Sequence, residues 1–297
     1  MSRRGGRRAN LSARGAGEPL LFATPVALLT AGSAAAANYQ EKVSDLQRGG
    51  EGGIMITVVY DNNPGDKELI ADWGFACVVQ GLPRTILFDT GAHGDLLLKN
   101  LGTLGIAPTK INVVVLSHDH WDHTGGLADF VQRNNKVTVF FPAAFPNELK
   151  ERVRRAGAVV VETKKAQRIC PGASTTRVLG EKVVEQGLCL ETGRGMVVVT
   201  GCAHPGIVEM TRAGQGTSGD RVHAVFGGFH MSAASRSEVA KVIETLRDMG
   251  VERAGPCHCS GDRARAMMKE AFGKDYVELA VGARVTFPRR STRGKGN

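Results

Sequence analysis

The segment Ser117–His123, with the sequence SHDHWDH, holds three histidines and two aspartates within seven residues. It follows a continuous apolar run, Ile111–Leu116, which has the pattern of a β-strand buried on both faces. A helix is expected to begin shortly afterwards, at Leu127. The segment is therefore predicted to lie in a turn at the carboxyl end of a buried strand, where α/β proteins place ligand-binding residues.

Imidazole and carboxylate groups at this spacing predict a metal site. His118 and His120 can converge on one ion, while Asp122 and His123 can turn toward a second. Two ions about 3.5–4 Å apart can activate a water molecule and polarise a substrate oxygen. The donor set suits one or two divalent ions, with zinc as the first expectation and iron, manganese or magnesium as alternatives. The competing interpretation is a histidine-rich surface loop without metal.

Outward from this segment, predicted strands and helices alternate, without an internal repeat. Two strands, Phe75–Gln80 and Thr85–Phe88, are predicted to form a hairpin. Further predicted strands are Ile56–Tyr60, Lys136–Phe141, Ala158–Val161, Leu188–Leu190, Met196–Thr200 and Val222–Phe226, and the predicted helices are Leu96–Leu104, Leu127–Gln132, Asn147–Ala156, Ser235–Met249 and Asp262–Phe272. We expect one α/β domain over residues 55–287 and a basic tail over 288–297, with disorder beginning at residue 284.

The net charge of +9 on the 297 residues is concentrated at the two ends of the chain. Residues 1–53 carry seven Lys or Arg and four Asp or Glu, and residues 284–297 carry five basic side chains and no acidic one. The body between them is close to neutral, whereas an enzyme that acts on nucleic acid is expected to show a basic stripe on its folded body. The charge pattern argues against a nucleic-acid partner and favours a small-molecule substrate. The oligomeric state is left open.

Residues 1–54 form an N-terminal extension that allows two interpretations. A basic start followed by the uncharged stretch 19–37 resembles an export signal. Pro19 and Pro25 interrupt that stretch, which makes it a poor membrane span. We favour a translation start at Met55, where a predicted strand begins, and hence a cytoplasmic protein. A genuine signal peptide over residues 1–37 would instead predict export.

The six cysteines have spacings that fit neither a zinc ribbon nor a small disulfide framework. We therefore expect reduced thiols. Cys257 and Cys259 flank His258 and, on a strand, would point away from it, so both are expected to pack in the core. Cys202, two residues before His204, could either pack or bind metal.

Together with SHDHWDH, three further landmarks resemble the metallo-β-lactamase superfamily over about residues 55–287. They are Asp89 in LFDTG, His204 in VVVTGCAHPGI and His258 in GPCHCSGD. The resemblance implies an α/β (α+β) fold, the four-layer αββα metallo-β-lactamase sandwich. The implied ligands of one ion are His118, His120 and His204, and those of the other are Asp122, His123 and His258. Asp89 is implied to orient neighbouring groups without binding metal itself.

One position departs from the family pattern. Most members place a bridging aspartate where this chain has FGGFHM, so His230 stands at the expected location, and Asp220 lies too early to replace it. An imidazole can bind one ion but cannot bridge two. His230 is therefore either a metal ligand or an acid–base group that contacts the substrate, and with Asp122 it is a candidate catalytic residue.

The segments GCAHPGI, GGFH and HCSG resemble one branch of the superfamily, the dihydropterin-ribofuranosylaminobenzene-phosphate synthase-like enzymes. That branch joins a dihydropterin pyrophosphate to an aminobenzene riboside phosphate, which is transfer and not hydrolysis. The segment DNNPGD also matches it and implies that Asn62 and Asn63 line the pocket rim. The superfamily default is metal-dependent hydrolysis of a phosphorylated or ester-type small molecule. Hydrolysis, transfer and non-catalytic metal binding all remain open at this point.

Overall fold

The computed structural model describes residues 53–290. Both interpretations of the N-terminal extension concern residues that lie outside this range. The strands are β1 Ile54–Asp61, β2 Phe75–Gln80, β3 Ile86–Phe88, β4 Val113–Val115, β5 Thr138–Pro142, β6 Val159–Thr163, β7 Arg168–Cys170, β8 Ala173–Thr175, β9 Leu188–Thr192, β10 Gly195–Thr200, β11 Val222–Gly228, β12 Arg253–Cys257 and β13 Arg284–Phe287. The α-helices are α1 Gly94–Thr103, α2 Trp121–Thr124, α3 Leu127–Arg133, α4 Asn147–Arg155, α5 Ile207–Ser218, α6 Arg236–Asp248 and α7 Asp262–Phe272.

The strands form two sheets that pack face to face. The seven-stranded sheet has the order β13-β1-β2-β3-β4-β5-β6, and the six-stranded sheet has the order β12-β11-β10-β9-β8-β7. β2 and β3 pair antiparallel, which confirms the predicted hairpin.

Three clusters of buried apolar side chains mark the interfaces between four layers. The first lies between the sheets, and the other two lie between each sheet and its own helices. Strand β4 shows how one short run serves two interfaces: Val113 and Val115 point to the opposite sheet, while Val114 points to the helices. Alternation on strands buried on both faces therefore produces the predicted αββα sandwich, and this confirms the fold class.

Parallel strands in both sheets place their carboxyl ends at one edge of the sandwich. β3 and β4 run parallel in the first sheet, and β10, β11 and β12 run parallel in the second. The candidate residues follow these strand ends: Asp89 follows β3, the SHDHWDH segment follows β4, and His204, His230 and His258 follow β10, β11 and β12. The topology thus gathers residues from distant parts of the sequence at a single location.

Helix α5 and the short strands β7 and β8 are elements that the sequence did not reveal. Gly214 and Gly216 lower the helix propensity of α5 and hide its pattern. Burial of Ile207 and Met210 against the second sheet stabilises the helix despite them. None of the helices between residues 53 and 290 is both long and apolar enough to cross a membrane.

The expectation of disorder from residue 284 onward is wrong for the part of that segment that the structure describes. Strand β13 pairs antiparallel with β1, with Phe287 opposite Ile54. Val285 and Phe287 are buried, whereas Arg284 and Thr286 are exposed. Basic charge concealed this amphipathic alternation in the sequence.

Phe287→Ala is expected to destabilise the protein by about 3–5 kcal/mol, because it removes a buried aromatic side chain and leaves a cavity. The Phe287 ring is 1% exposed and lies 5.9 Å from the ring of Phe226 across the sheet interface. Denaturant unfolding followed by circular dichroism measures the change. Thr286→Ala, on the exposed face of the same strand, is the matched control. Equal stability of the two variants would show that β13 does not contribute to the fold.

Candidate metal centre

Three of the predicted ligands form a compact triad. The Nε2 atoms of His123 and His258 lie 3.2 Å apart, and Asp122 Oδ2 lies 3.7 Å from the first and 3.3 Å from the second. Zinc–nitrogen bonds of about 2.0–2.1 Å in a tetrahedral site place neighbouring ligand atoms about 3.4 Å apart. The three atoms therefore already have the separations that one tetrahedral ion requires.

The other three predicted ligands form a second group beside the first. His118 Nε2 and His120 Nδ1 lie 3.2 Å apart, and the His204 ring centroid lies 4.8 Å from each of their rings. His204 Nε2 is buried and has no hydrogen-bond partner. A buried polar atom without a partner is costly, and a metal ion at this position would satisfy it. The residues present therefore fit the ion that their donor types suggest.

Asp89 and Ser117 fix which ring nitrogens of the histidines are free. The buried Asp89 carboxylate accepts hydrogen bonds from the Ser117 hydroxyl and from His123 Nδ1, at 2.7 and 2.8 Å. The Ser117 hydroxyl donates its single proton to Asp89. It can therefore only accept a hydrogen bond from His118 Nδ1, which lies 2.8 Å away. Both Nδ1 atoms then carry protons, so both Nε2 lone pairs face the site. Asp89 thus contacts the groups that it was expected to orient.

Asn62 fixes in the same way which ring nitrogen of His258 is free. Its Oδ1 lies 2.8 Å from His258 Nδ1, and its Nδ2 donates to the His258 carbonyl oxygen at 3.3 Å. Asn63 binds Asp61 and Arg265. The position of both asparagines on the pocket rim stays a prediction. The contact of Asn62 with His258 forms because the DNNPGD turn after β1 lies against His258.

Glu185 is a site residue that sequence reasoning missed. Its buried carboxylate accepts hydrogen bonds from three consecutive backbone amides, those of Cys202, Ala203 and His204, at 2.8 to 3.0 Å. Ala203 adopts a left-handed conformation (φ 56°), so the loop wraps around the carboxylate as an anion-binding nest. Glu185 precedes the loop by 17 residues and matches no short motif, so only the tertiary fold reveals it.

Burial and neighbouring polar groups together set the protonation states of the ligand side chains in the metal-free site. Burial and then the neighbouring histidines lower the pKa of His118 far below its usual range, and burial with His230 and His120 lowers the pKa of His204 to about 4. Burial alone would raise the pKa of Asp122, but hydrogen bonding to His258 and the charge of His123 lower it to about 2. At neutral pH these two imidazoles are neutral and Asp122 is ionised, which are the forms that bind metal.

His230 lies on the solvent side of the site, with its ring 4.3 Å from the His204 ring. It is exposed, and its backbone is left-handed at φ 50°. A hydrogen bond with Cys259 outweighs partial burial and raises the pKa of His230. The imidazole is therefore placed beside the ligands with access to solvent, a position that suits either role expected for it.

The cysteines divide into two groups. All six are free and buried, which agrees with the expected reduced thiols. Cys257 packs between the sheets, as predicted. Cys259 contradicts its prediction, because it lies within ligand distance of Cys202 and His230. The prediction assumed that β12 continued through His258, but a 3-10 helix begins there and turns Cys259 inward.

Gly201→Ala is expected to weaken metal binding by about ten-fold or more. A Cβ at Gly201 would overlap the Ser117 hydroxyl and crowd Asp89 Oδ2, and disturbing such orienting groups typically costs this much affinity. Metal titration of the metal-free protein measures the effect. Gly102→Ala is the matched control, since a Cβ there meets nothing within 4 Å. Unchanged affinity in the Gly201 variant would contradict the orienting role of Ser117 and Asp89.

Comparison with known proteins agrees with this geometry. The 7,8-dihydropterin-6-methyl-4-(beta-D-ribofuranosyl)-aminobenzene-5'-phosphate synthase of Methanocaldococcus jannaschii is 31% identical, over 70% of this chain and 86% of that protein. The solved structure of Tm1679, a metal-dependent hydrolase of the β-lactamase superfamily, superposes with a TM-score of 0.65 at 24% identity and covers 79% of this chain and 99% of that one. A diphosphatase from the PhnP family superposes with a TM-score of 0.52 at 13% identity and covers 80% and 99%. The family model of the metallo-beta-lactamase superfamily matches residues 76–258. The chain belongs to the metallo-β-lactamase superfamily.

Proposed function

We propose that this chain is a metal-dependent enzyme that acts on a phosphorylated small molecule, and that it transfers a group to an acceptor other than water. The observation that carries the metal-dependent part is the pair of ligand groups, with their Nε2 lone pairs already directed inward by Ser117, Asp89 and Asn62. Orienting contacts of this kind are typical of the histidine ligands of a metal centre.

When bound, divalent ions would supply Lewis acidity toward a phosphate or ester oxygen. The chain provides the surroundings that this chemistry needs. Asp122 would hold the ion beside His123 and His258 as a charged ligand, and the buried Asp89 carboxylate would keep the His123 ring in place through its contact with Nδ1. The proposed role of Asp122 is therefore to bind metal as a carboxylate and to orient the ion toward the substrate.

The mouth of the site favours a substrate with an anionic group and a flat ring. A cavity of about 210 Å³ opens beside His120 and is lined by Asp119 and Lys182, and the lysine can attract a phosphate. The chain has two tryptophans, Trp73 and Trp121, and both are exposed, by 47% and 61%. Trp73 lies 5.0 Å from the His258 ring, and Trp121 stands between two ligands in the sequence. Exposed aromatic rings at a site mouth offer stacking surfaces to a planar ligand.

The similarity to the Methanocaldococcus jannaschii synthase supports the transfer part of the proposal. In the reaction that we propose, the bond between the methylene carbon of a dihydropterin pyrophosphate and its pyrophosphate breaks, the amino nitrogen of an aminobenzene riboside phosphate forms the new bond to that carbon, and the nitrogen loses one proton to solvent. The proposed donor of a proton to the departing pyrophosphate is His230, because its exposed imidazole lies 4.3 Å from the His204 ring, beside the ligands. Hydrolysis of a phosphorylated or ester-type substrate is the second candidate.

The deciding assay offers the metal-loaded protein a dihydropterin pyrophosphate with and without the aminobenzene riboside phosphate. We expect pyrophosphate release to depend on the acceptor and to match the amount of joined product. Release at the same rate without acceptor would establish hydrolysis and overturn transfer. Because the exposed Trp73 lies 5.0 Å from the His258 ring, quenching of tryptophan fluorescence gives an independent measure of binding. Metal loading with no turnover on this pair or on a panel of esters and phosphodiesters would indicate a non-catalytic metal-binding protein.

His230→Gln is expected to lower kcat by about 100-fold, the usual contribution of a general acid, while the metal content stays unchanged. The variant keeps hydrogen-bonding capacity but cannot give a proton. Metal analysis of the same preparation separates the two roles that the sequence left open. A parallel loss of metal and activity would show instead that His230 is a ligand.

A further inference from the structure

The sulfur of Cys202 lies between the two groups of predicted ligands. It is 3.2 Å from His123 Nε2. Its ligand atom lies within 4.8 Å of those of His118 and His204 on one side, and within the same distance of those of His123 and His258 on the other. The thiol therefore occupies the position from which one atom could contact two ions at once.

Packing does not explain this cysteine. Four of the six cysteines, Cys77, Cys170, Cys189 and Cys257, belong to the apolar clusters that hold the layers together. Cys202 belongs to none of them, although it is only 3% exposed. Its nearest polar neighbour is an imidazole nitrogen that another contact has left free for a ligand.

The surrounding loop is built to hold the sulfur in this position. The Glu185 carboxylate fixes the amide of Cys202 at 3.0 Å and those of the next two residues. The left-handed conformation of Ala203 turns the chain so that Cys202 and His204 both face the site. Gly228 permits the close approach of β11, since a Cβ there would crowd the Cys202 Cα at 3.1 Å.

We propose that Cys202 binds as a thiolate that bridges two metal ions, one held by His118, His120 and His204 and the other by Asp122, His123 and His258. On binding, the thiol loses its proton to solvent and the sulfur lone pairs form two metal–sulfur bonds. A thiolate is a soft ligand that favours zinc or iron and disfavours magnesium. The inference rests on the proposed metal centre but is independent of the reaction that the centre performs.

The test uses Co²⁺ titration of the metal-free full-length protein, because a thiolate bound to Co²⁺ gives a charge-transfer absorption band that imidazole and carboxylate ligands do not give. The wild-type protein is expected to bind two ions per chain and to develop the band. Cys202→Ser should lose the band and bind the second ion about ten-fold or more weakly. Cys259→Ser, the matched control, should keep it.

The other possible results distinguish failure of the proposed bridge from failure of the proposed metal centre. A band that persists in Cys202→Ser, or that disappears only in Cys259→Ser, overturns the bridge and assigns the thiolate to Cys259. Two ions bound by the wild type without a band would also overturn the bridge but leave the proposed metal centre intact. No ion bound by the wild type would overturn both. Cys202→Asp serves as the second variant: a carboxylate at the same position should restore two-ion binding without the band.

Discussion

The hydrogen bonds of the buried Asp89 carboxylate are the interactions on which the site depends. Asp89 ends β3, and its two oxygens bind the backbone and hydroxyl of Ser117 and the ring of His123. The carboxylate thus ties the ends of two parallel strands together and sets the direction of two histidines at once. Without it, burial would leave these polar groups unpaired and their ring nitrogens undirected. The fold and the metal site therefore both depend on the Asp89 carboxylate.

Backbone strain is concentrated at the same place. Within residues 53–290, the non-glycine residues with positive φ are Asp89, Ala203, His230 and His258, and all of them belong to the site. A left-handed conformation at such residues costs on the order of 1 kcal/mol each. The strain persists where a buried hydrogen bond fixes the local geometry. One example is the hydrogen bond that the Ala203 amide donates to the Glu185 carboxylate. The stability of the surrounding sandwich therefore offsets the cost of this strain and holds the side chains in their positions at the site.

The sequence predicted the features that are encoded locally. The continuous apolar run that contains β4 predicted a strand buried on both faces, and the compact SHDHWDH motif after it predicted candidate metal ligands. The four layers were implied by the family resemblance. Features that depend on distant parts of the chain were missed or wrong: Glu185 reaches a loop 17 residues away, and Asn62 reaches His258 across 196 residues. Cys259 was predicted to face the core because local periodicity does not reveal where a strand gives way to a 3-10 turn.

The charge balance of the proposed centre links its ligands to its substrate. Among the groups that would contact the ions, the imidazoles are neutral as ligands, so Asp122 and the thiolate of Cys202 supply two negative charges. Two divalent ions then leave a net charge of about +2 facing the mouth. The histidine at position 230 adds no negative charge, whereas a carboxylate there would have reduced the positive charge further. An excess of positive charge in a largely buried site attracts a polyanionic group such as a pyrophosphate and stabilises it as it departs, so the unusual ligand set and the proposed transfer chemistry support each other.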